Sequence, residues 1–189
     1  PYNNVAELLA AAKAKPGELS YASVGVGSPG HLAGELLNLR AGAKLVHVPY
    51  KGGGQAMSDA LGGNVPLVYT AVAGAIKHVE AGKLHAIAVS SRTRSPSLPN
   101  TPTFIEAVVP DFEASSWVGI LAPAGTPRPV IDRLNKELNA LLTSPEVVER
   151  LAKLGIVATP GTPEQFGEQM KADLAKYGPV VKAAGIKAD

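Results

Sequence analysis

Between residues 5 and 90 the chain alternates, across connections of a few residues, between segments of helical period and short β-branched or aromatic segments. This alternation is the strongest constraint in the sequence, because strand, helix and strand in close succession close most readily as a parallel unit with the helix packed on the sheet. Val5 to Ala14 carries apolar residues at helical spacing, with Asn3 or Asn4 placed to cap it and Pro16-Gly17 to stop it. Leu19 to Val24 then reads as a strand and Pro29 to Ala41 as a helix. Lys44 to Tyr50 reads as a second strand, Gly53 to Leu61 as a helix, and Val65 to Thr70 as a third strand. Gly74 to Ala81 gives a further helix and Leu84 to Ser90 a fourth strand. The fold class is therefore α/β with a parallel sheet, and in such a sheet all strand C-terminal ends lie on one edge.

The pattern changes after Ser90. Arg92 to Asn100 is rich in Ser, Pro, Thr and Arg and reads as a surface connection. Phe112 to Ala122, containing Ser115, Ser116 and Trp117, is the longest strand candidate and is expected to connect two lobes. Three helices follow, opened by Thr126-Pro127, by Ser144-Pro145 and by Thr162-Pro163-Glu164-Gln165, the last with the spacing of a capping box. Their apolar stripes, such as Val130, Leu134, Leu138 and Leu141, need a surface to cover, yet only Phe112 to Ala122 and a short Ile156 to Ala158 segment offer strands. The expectation is that the strands they need belong to a segment ahead of Pro1. Trp117 is either core packing or the apolar wall of a cleft.

Charge and composition remove several functions. Lys plus Arg is 18 against 16 for Asp plus Glu, a net charge of +2 with no cluster that could neutralise a row of phosphates, so nucleic acid is not an expected partner. No apolar run approaches the roughly 20 residues a membrane helix needs, so no direct membrane insertion is expected. Absence of Cys excludes disulfides and thiol nucleophiles. His31, His47, His78 and His85 have no metal-ligand spacing, and His47 and His85 read as strand residues among apolar neighbours. No Gly-x-Ser-x-Gly elbow is present, and Glu35, Asp59 and Glu80 fall inside helices rather than at strand ends. Neither an enzyme nor a cofactor is expected.

The local feature with most chemistry is Ser23-Val24-Gly25-Val26-Gly27-Ser28-Pro29-Gly30-His31, which leaves a strand and opens a helix. Glycine lets a backbone approach a ligand, Ser28 can cap the helix, and the first turn of a helix presents unpaired N–H groups with partial positive charge. Such a loop suits a carboxylate or phosphate, and it equally suits a tight turn. Its spacing only partly imitates the dinucleotide fingerprint, with no acid about 20 residues on, and no Gly-Lys-Ser/Thr follows as a P-loop requires. Lys51, after the second strand, can steer an anion toward the same rim, and Thr70, after the third, brings a hydroxyl to it. His31 is placed either to donate to a bound oxygen or on the helix surface.

Several motifs in order resemble one family. Leu19-Ser20-Tyr21-Ala22-Ser23 with the glycine loop and His31-Leu32-Ala33-Gly34-Glu35 leads, followed by His47-Val48-Pro49-Tyr50-Lys51-Gly52. Ala81-Gly82-Lys83-Leu84, Arg94-Ser95-Pro96, Leu98-Pro99 and Ser115-Ser116-Trp117 come next, then Leu121-Ala122-Pro123-Ala124-Gly125-Thr126-Pro127 and Gly161-Thr162-Pro163-Glu164. Together they resemble the Bug-type (TctC-like) periplasmic solute receptors of tripartite tricarboxylate transporters over essentially the whole chain. The resemblance implies a two-lobed, Venus-flytrap (type II) periplasmic binding protein that captures a small organic acid and hands it to integral membrane permease subunits, without catalysis, cofactor or metal. It further implies that residues 3–116 are the second lobe with the ligand loop. Residues 117–189 would be a connector strand and C-terminal helices of a first lobe only partly present, some 100 residues of which precede Pro1 in the family.

Carried onto this sequence, the ligand loop falls on Ser23, Gly25, Gly27 and Ser28, extended by Gly30 and His31, with Lys51 and Thr70 at its flanks. Thr70-Ala71-Val72 stands where family members often have an acid or amide, which favours a dicarboxylate or aromatic acid over a ligand with a charged amine. Two rivals remain at this point. A cytoplasmic effector-binding domain of a transcription regulator would sense an acid with the same architecture. An enzyme acting on a carboxylated substrate would require a titratable pair at the rim.

Overall fold

Three short strands, β1 (Ser20–Ser23), β2 (Val46–Pro49) and β3 (Leu67–Val68), form one parallel sheet in the order β2-β1-β3 in the computed structural model, which describes residues 2–187. Helices α1 (Val5–Ala14), α2 (Pro29–Ala41), α3 (Gly53–Leu61) and α4 (Val72–Glu80) precede and follow these strands, so the expected alternation is realised. The register sets Tyr21 opposite His47 and Ser23 opposite Pro49. Because side chains alternate along a strand, Tyr21 and Ser23 share one face of β1. Tyr21 packs in a core with Leu8 and Leu9 of α1 and Leu36 and Leu37 of α2. Ala22, of opposite parity, packs with Ala56 of α3 and Val65.

Local signals fix the helix ends. Asn4 Oδ1 accepts the Glu7 amide at 2.8 Å to cap α1, and Gly42, in the left-handed region at φ 62°, closes α2. The Asn38 side chain donates to Leu45 O at 3.0 Å and accepts Leu45 N–H at 2.8 Å, which ties the end of α2 to the approach of β2. Gly34 is required by packing. A Cβ there would run into the buried Tyr21 ring.

Three of the expected strands are not strands. Leu84 to Ser90 pairs at one point only, Val89 with Thr103, and an isolated bridge does not make a strand, which needs a neighbour along its length. Phe112 to Ala122 is anchored at its start, where Ala114 N–H donates to Ser90 O at 2.9 Å, and then continues with no neighbouring strand. Ile156 to Ala158 likewise has none. A short helix, α5 (Phe104–Ala107), has no counterpart in the sequence expectation, although Thr103 and Glu106 form a full capping box over it. Helices α6 (Arg128–Thr143), α7 (Pro145–Lys153) and α8 (Pro163–Ala183) begin where their start signals predict. The capping box at the last is present, Thr162 N–H donating to Gln165 Oε1 and Gln165 N–H to Thr162 Oγ1.

The chain divides into two units. The first runs to Ser115 and takes in the residues from Tyr177 onward, with Phe112 and Val180 buried in its core. The second spans Ser116–Lys176, and no residue in it is buried. Within it Trp117 is neither core nor bare: its ring meets Phe166 edge-on at 4.9 Å and its Nε1 donates to Asp173 Oδ2 at 2.6 Å. Residues 188 and 189 of the expected 117–189 segment lie outside the described residues.

Candidate functional site

The rim of the first unit gathers the expected site residues by topology. With β1 central, the loop after Ser23 is flanked on one side by Tyr50 and Lys51 following β2, and on the other by Tyr69 and Thr70 following β3. Backbone hydrogen bonds continue the ladder to this edge, from Tyr50 N–H to Ser23 O at 3.0 Å and from Tyr69 N–H to Ala22 O at 2.9 Å. Lys51 is exposed and makes no ion pair among the described residues. Thr70 is half-buried.

The loop itself is held from beneath. Ser23 is fully buried, and its Oγ lies 2.6 Å from His47 Nε2 and 3.1 Å from Ser28 Oγ. It also accepts the Gly25 N–H at 3.3 Å. Ser28 caps α2 by accepting the His31 N–H at 3.3 Å. His31 Nδ1 accepts the Gly27 N–H at 3.1 Å, so the neutral ring carries its proton on Nε2, 4.0 Å from Glu35 Oε1. Gly25 at φ 137° and Gly27 at φ 71° take conformations that a side chain would oppose. Gly30 answers to packing instead. A Cβ there would stand 3.1 Å from Ser23 Cβ and 3.2 Å from Tyr69 O, so its bareness lets α2 approach the sheet.

These contacts separate the predicted residues into two groups. Ser23, Gly25, Gly27 and Ser28 have their hydroxyl or N–H groups engaged inside the loop, and His31 is buried rather than on the helix surface. Val26, by contrast, is 52% exposed and its N–H has no acceptor among the described residues, whereas Gly30 is buried against the sheet. The exposed part of the loop is therefore the turn from Val24 to Gly27, with Lys51 and Thr70 at its flanks.

His47, expected to be an ordinary strand residue, is the principal omission of the sequence reading. Its ring stacks on His31 with centroids 3.7 Å apart and planes 13° apart, and lies 5.2 Å from Tyr21. The Tyr21 hydroxyl donates to His31 O or Glu35 Oε1, each at 3.2 Å. Burial, reinforced by the neighbouring His31, pushes His47 down to about 4. Burial lowers His31 as well, against an opposing pull from Glu35. Burial and then the Glu35 charge raise the Tyr21 phenol. Both imidazoles are accordingly neutral at pH 7. Strand parity holds the clue: residues 21, 23 and 47 form a polar patch on the face that meets α2.

Ser23 and His47 have the spacing of a nucleophile and its base. Yet Ser23 is wholly buried, and no carboxylate is hydrogen-bonded to His47 among the described residues, so the contact braces the loop. No group of three or more metal-ligating side chains occurs among the described residues. A cavity of about 440 Å3, lined by residues including Leu9, Lys13, Arg40 and Val108, lies at the C-terminal end of α2, away from Ser28 and the rim.

A parallel sheet with helices on both faces and a glycine loop at its strand ends is the α/β arrangement found in periplasmic solute-binding proteins. The chain is similar to the solved structure of R. palustris Rpa4515 with adipate, at 34% identity and TM-score 0.86, covering 98% of this chain and 62% of that one. It is also similar to MatC (Rpa3494) from Rhodopseudomonas palustris with bound malate, at 26% identity and TM-score 0.77, covering 96% and 63%. Protein BugT of Bordetella pertussis is 38% identical over 180 residues, 95% of this chain and 55% of BugT, so the chain spans about half the length of that relative. The profile of the "Tripartite tricarboxylate transporter family receptor" matches residues 1–186, and the chain belongs to this family. Members of the family are solute receptors rather than enzymes.

Proposed function

We propose that the protein captures a small carboxylic acid, a dicarboxylate or an aromatic acid, at the Ser23–His31 rim and presents it in the periplasm to the membrane permease subunits of a tripartite tricarboxylate transporter. The observation that carries this reading is the exposed turn at Val26, whose N–H has no acceptor among the described residues and which lies just ahead of the opening of α2. A carboxylate there gains a hydrogen bond to an amide that otherwise has only water, together with the favourable field of the α2 N-terminus. Lys51 adds long-range attraction to an anion. Thr70 supplies a neutral hydroxyl where a carboxylate side chain would be needed to pair with an amine. Two related structures hold adipate and malate, which supports the choice of plain dicarboxylates. In this reading residues 3–116 form the lobe that bears the rim and residue 117 opens the chain's return to the other lobe, but the expected 117–189 segment is cut short at Lys176, because the residues from Tyr177 pack with the first unit, where Val180 is buried.

The test is thermal unfolding with adipate, malate, benzoate and a set of amino acids. A ligand present at 100 times its dissociation constant adds about 2.7 kcal/mol, a rise of roughly 5 °C or more for a domain of this size. Stabilisation by at least one plain acid is the expected result. Stabilisation by amino acids alone, or by nothing in the panel, overturns the reading.

A further inference from the structure

Capture of an acid by backbone amides requires that the loop hold its shape, and two glycines with positive φ do not do this by themselves. The loop is pinned at two points, the Gly25 N–H on Ser23 Oγ and the Gly27 N–H on His31 Nδ1. Both pins rest on one side chain. His47 Nε2 holds Ser23 Oγ at 2.6 Å, and the His47 ring backs His31 face to face at 3.7 Å. The ring has little freedom to swing, with Tyr21 near it and His31 stacked on it.

We propose that His47 is the positioning residue of the Ser23–His31 loop: through Ser23 it fixes Gly25 and Ser28, and through His31 it fixes Gly27, which keeps the Val26 amide free for a ligand. A core histidine that merely fills space predicts otherwise, because an apolar side chain of similar volume would serve as well. The proposal rests on the receptor reading for its purpose, but its geometry can be tested without any ligand.

The experiment is residue-resolved amide hydrogen exchange by NMR at pH 7.5, where both imidazoles are neutral, on the protein and its His47→Gln and His47→Leu variants. Gln can place a side-chain polar atom near the position of Nε2, whereas Leu keeps bulk and loses the hydrogen bond. His47→Leu is expected to speed exchange at Gly25 and Gly27 by about tenfold, while Leu9 and Leu37 in α1 and α2 stay within about twofold. His47→Gln is expected to keep Gly25 within about threefold of the parent. If His47→Leu does not fold, His47→Phe, which keeps a ring against His31 and loses the hydrogen bond to Ser23 Oγ, carries the same expectation at Gly25. The proposal is overturned if Gly25 and Gly27 do not respond to His47→Leu, if His47→Gln loosens Gly25 as much as His47→Leu does, or if Leu9 and Leu37 loosen equally. A parent protein unmoved by every acid in the thermal panel would defeat the receptor reading and leave this exchange result standing.

Discussion

In the first unit, α1 and α2 lay Leu8, Leu9, Leu36 and Leu37 against the sheet, and none is more than 6% exposed. In the second, α6 has an equally regular apolar stripe, yet Val130, Leu134 and Leu141 stand 47 to 55% exposed. The helices of both units have clear start signals, so the difference does not lie in helix formation. It lies in what the helices cover. Capping and periodicity are local properties that a helix carries with it, whereas burial needs a second layer. The first unit supplies that layer from β1, β2 and β3. Among the described residues the second unit contains no strand.

The largest effect that follows is on stability. Phe112 is fully buried and meets Phe104 with ring centroids 4.6 Å apart. Phe112→Ala is expected to cost about 3–5 kcal/mol in urea unfolding, the range for deleting a buried aromatic side chain. Leu134→Ala in the second unit is expected to cost less than about 1 kcal/mol, because roughly half of that side chain already faces water. Equal costs would show that the stripe of α6 is buried in solution and would erase the contrast.

A smaller effect separates the units by pH. His47 is lowered from 6.5 to about 4 in the folded protein, by burial first and by His31 second. Below pH 6.5 the unfolded chain therefore binds more protons at this residue than the folded chain does. The contribution is complete above pH 6.5, declines as pH falls from there to about 4, and does not decline further below. Solvent screening of the partly exposed ring keeps the loss well short of that for full burial. Urea midpoints are expected to fall across this window in the parent protein and to fall less in His47→Gln. Trp117, the single Trp, lies in the second unit and gives a contrasting signal. Its partner Asp173 is raised by burial but held below its usual value by hydrogen bonds from Trp117, Gln169 and Lys176, so Trp117 fluorescence is expected to hold steady down to pH 4. A Trp117 transition between pH 6.5 and 4 would break the distinction.

The same division explains how much is legible in the sequence. Helices α1, α2, α6 and α8 announce themselves through Asn4, Pro29, the Thr126-Pro127 pair and Thr162, because their signals act within one turn. The expected strands at Leu84–Ser90 and Phe112–Ala122 rest on composition alone, but a strand exists only when a neighbour completes its hydrogen bonds, and that neighbour is not a local property. The site divides in the same way. The loop and its flanks follow from strand ends sharing one edge. The bracing by His47 depends on the register that sets Tyr21 beside it and on the packing of α2, which a lone histidine in an apolar stretch does not reveal. Gly30, expected from its place in the motif to touch a ligand, also has a packing reason that the sequence does not display, the close approach of α2 to the sheet.

The smallest expected effect is the sharpest check on the second unit. Val118 is 99% exposed, and Ile120 and Leu121 follow it on a segment that belongs to no helix or strand. A side chain that touches nothing contributes nothing to folding, so Val118→Lys is expected to change stability by no more than about 0.5 kcal/mol. The same change places a charge on an unpaired apolar edge, which discourages edge-to-edge pairing between copies. Sedimentation velocity is therefore expected to show less self-association for Val118→Lys than for the parent, at an unchanged urea midpoint. A loss above about 1 kcal/mol would mean that Val118 is packed in solution. The second unit would then possess a core after all, and its difference from the first would be one of degree.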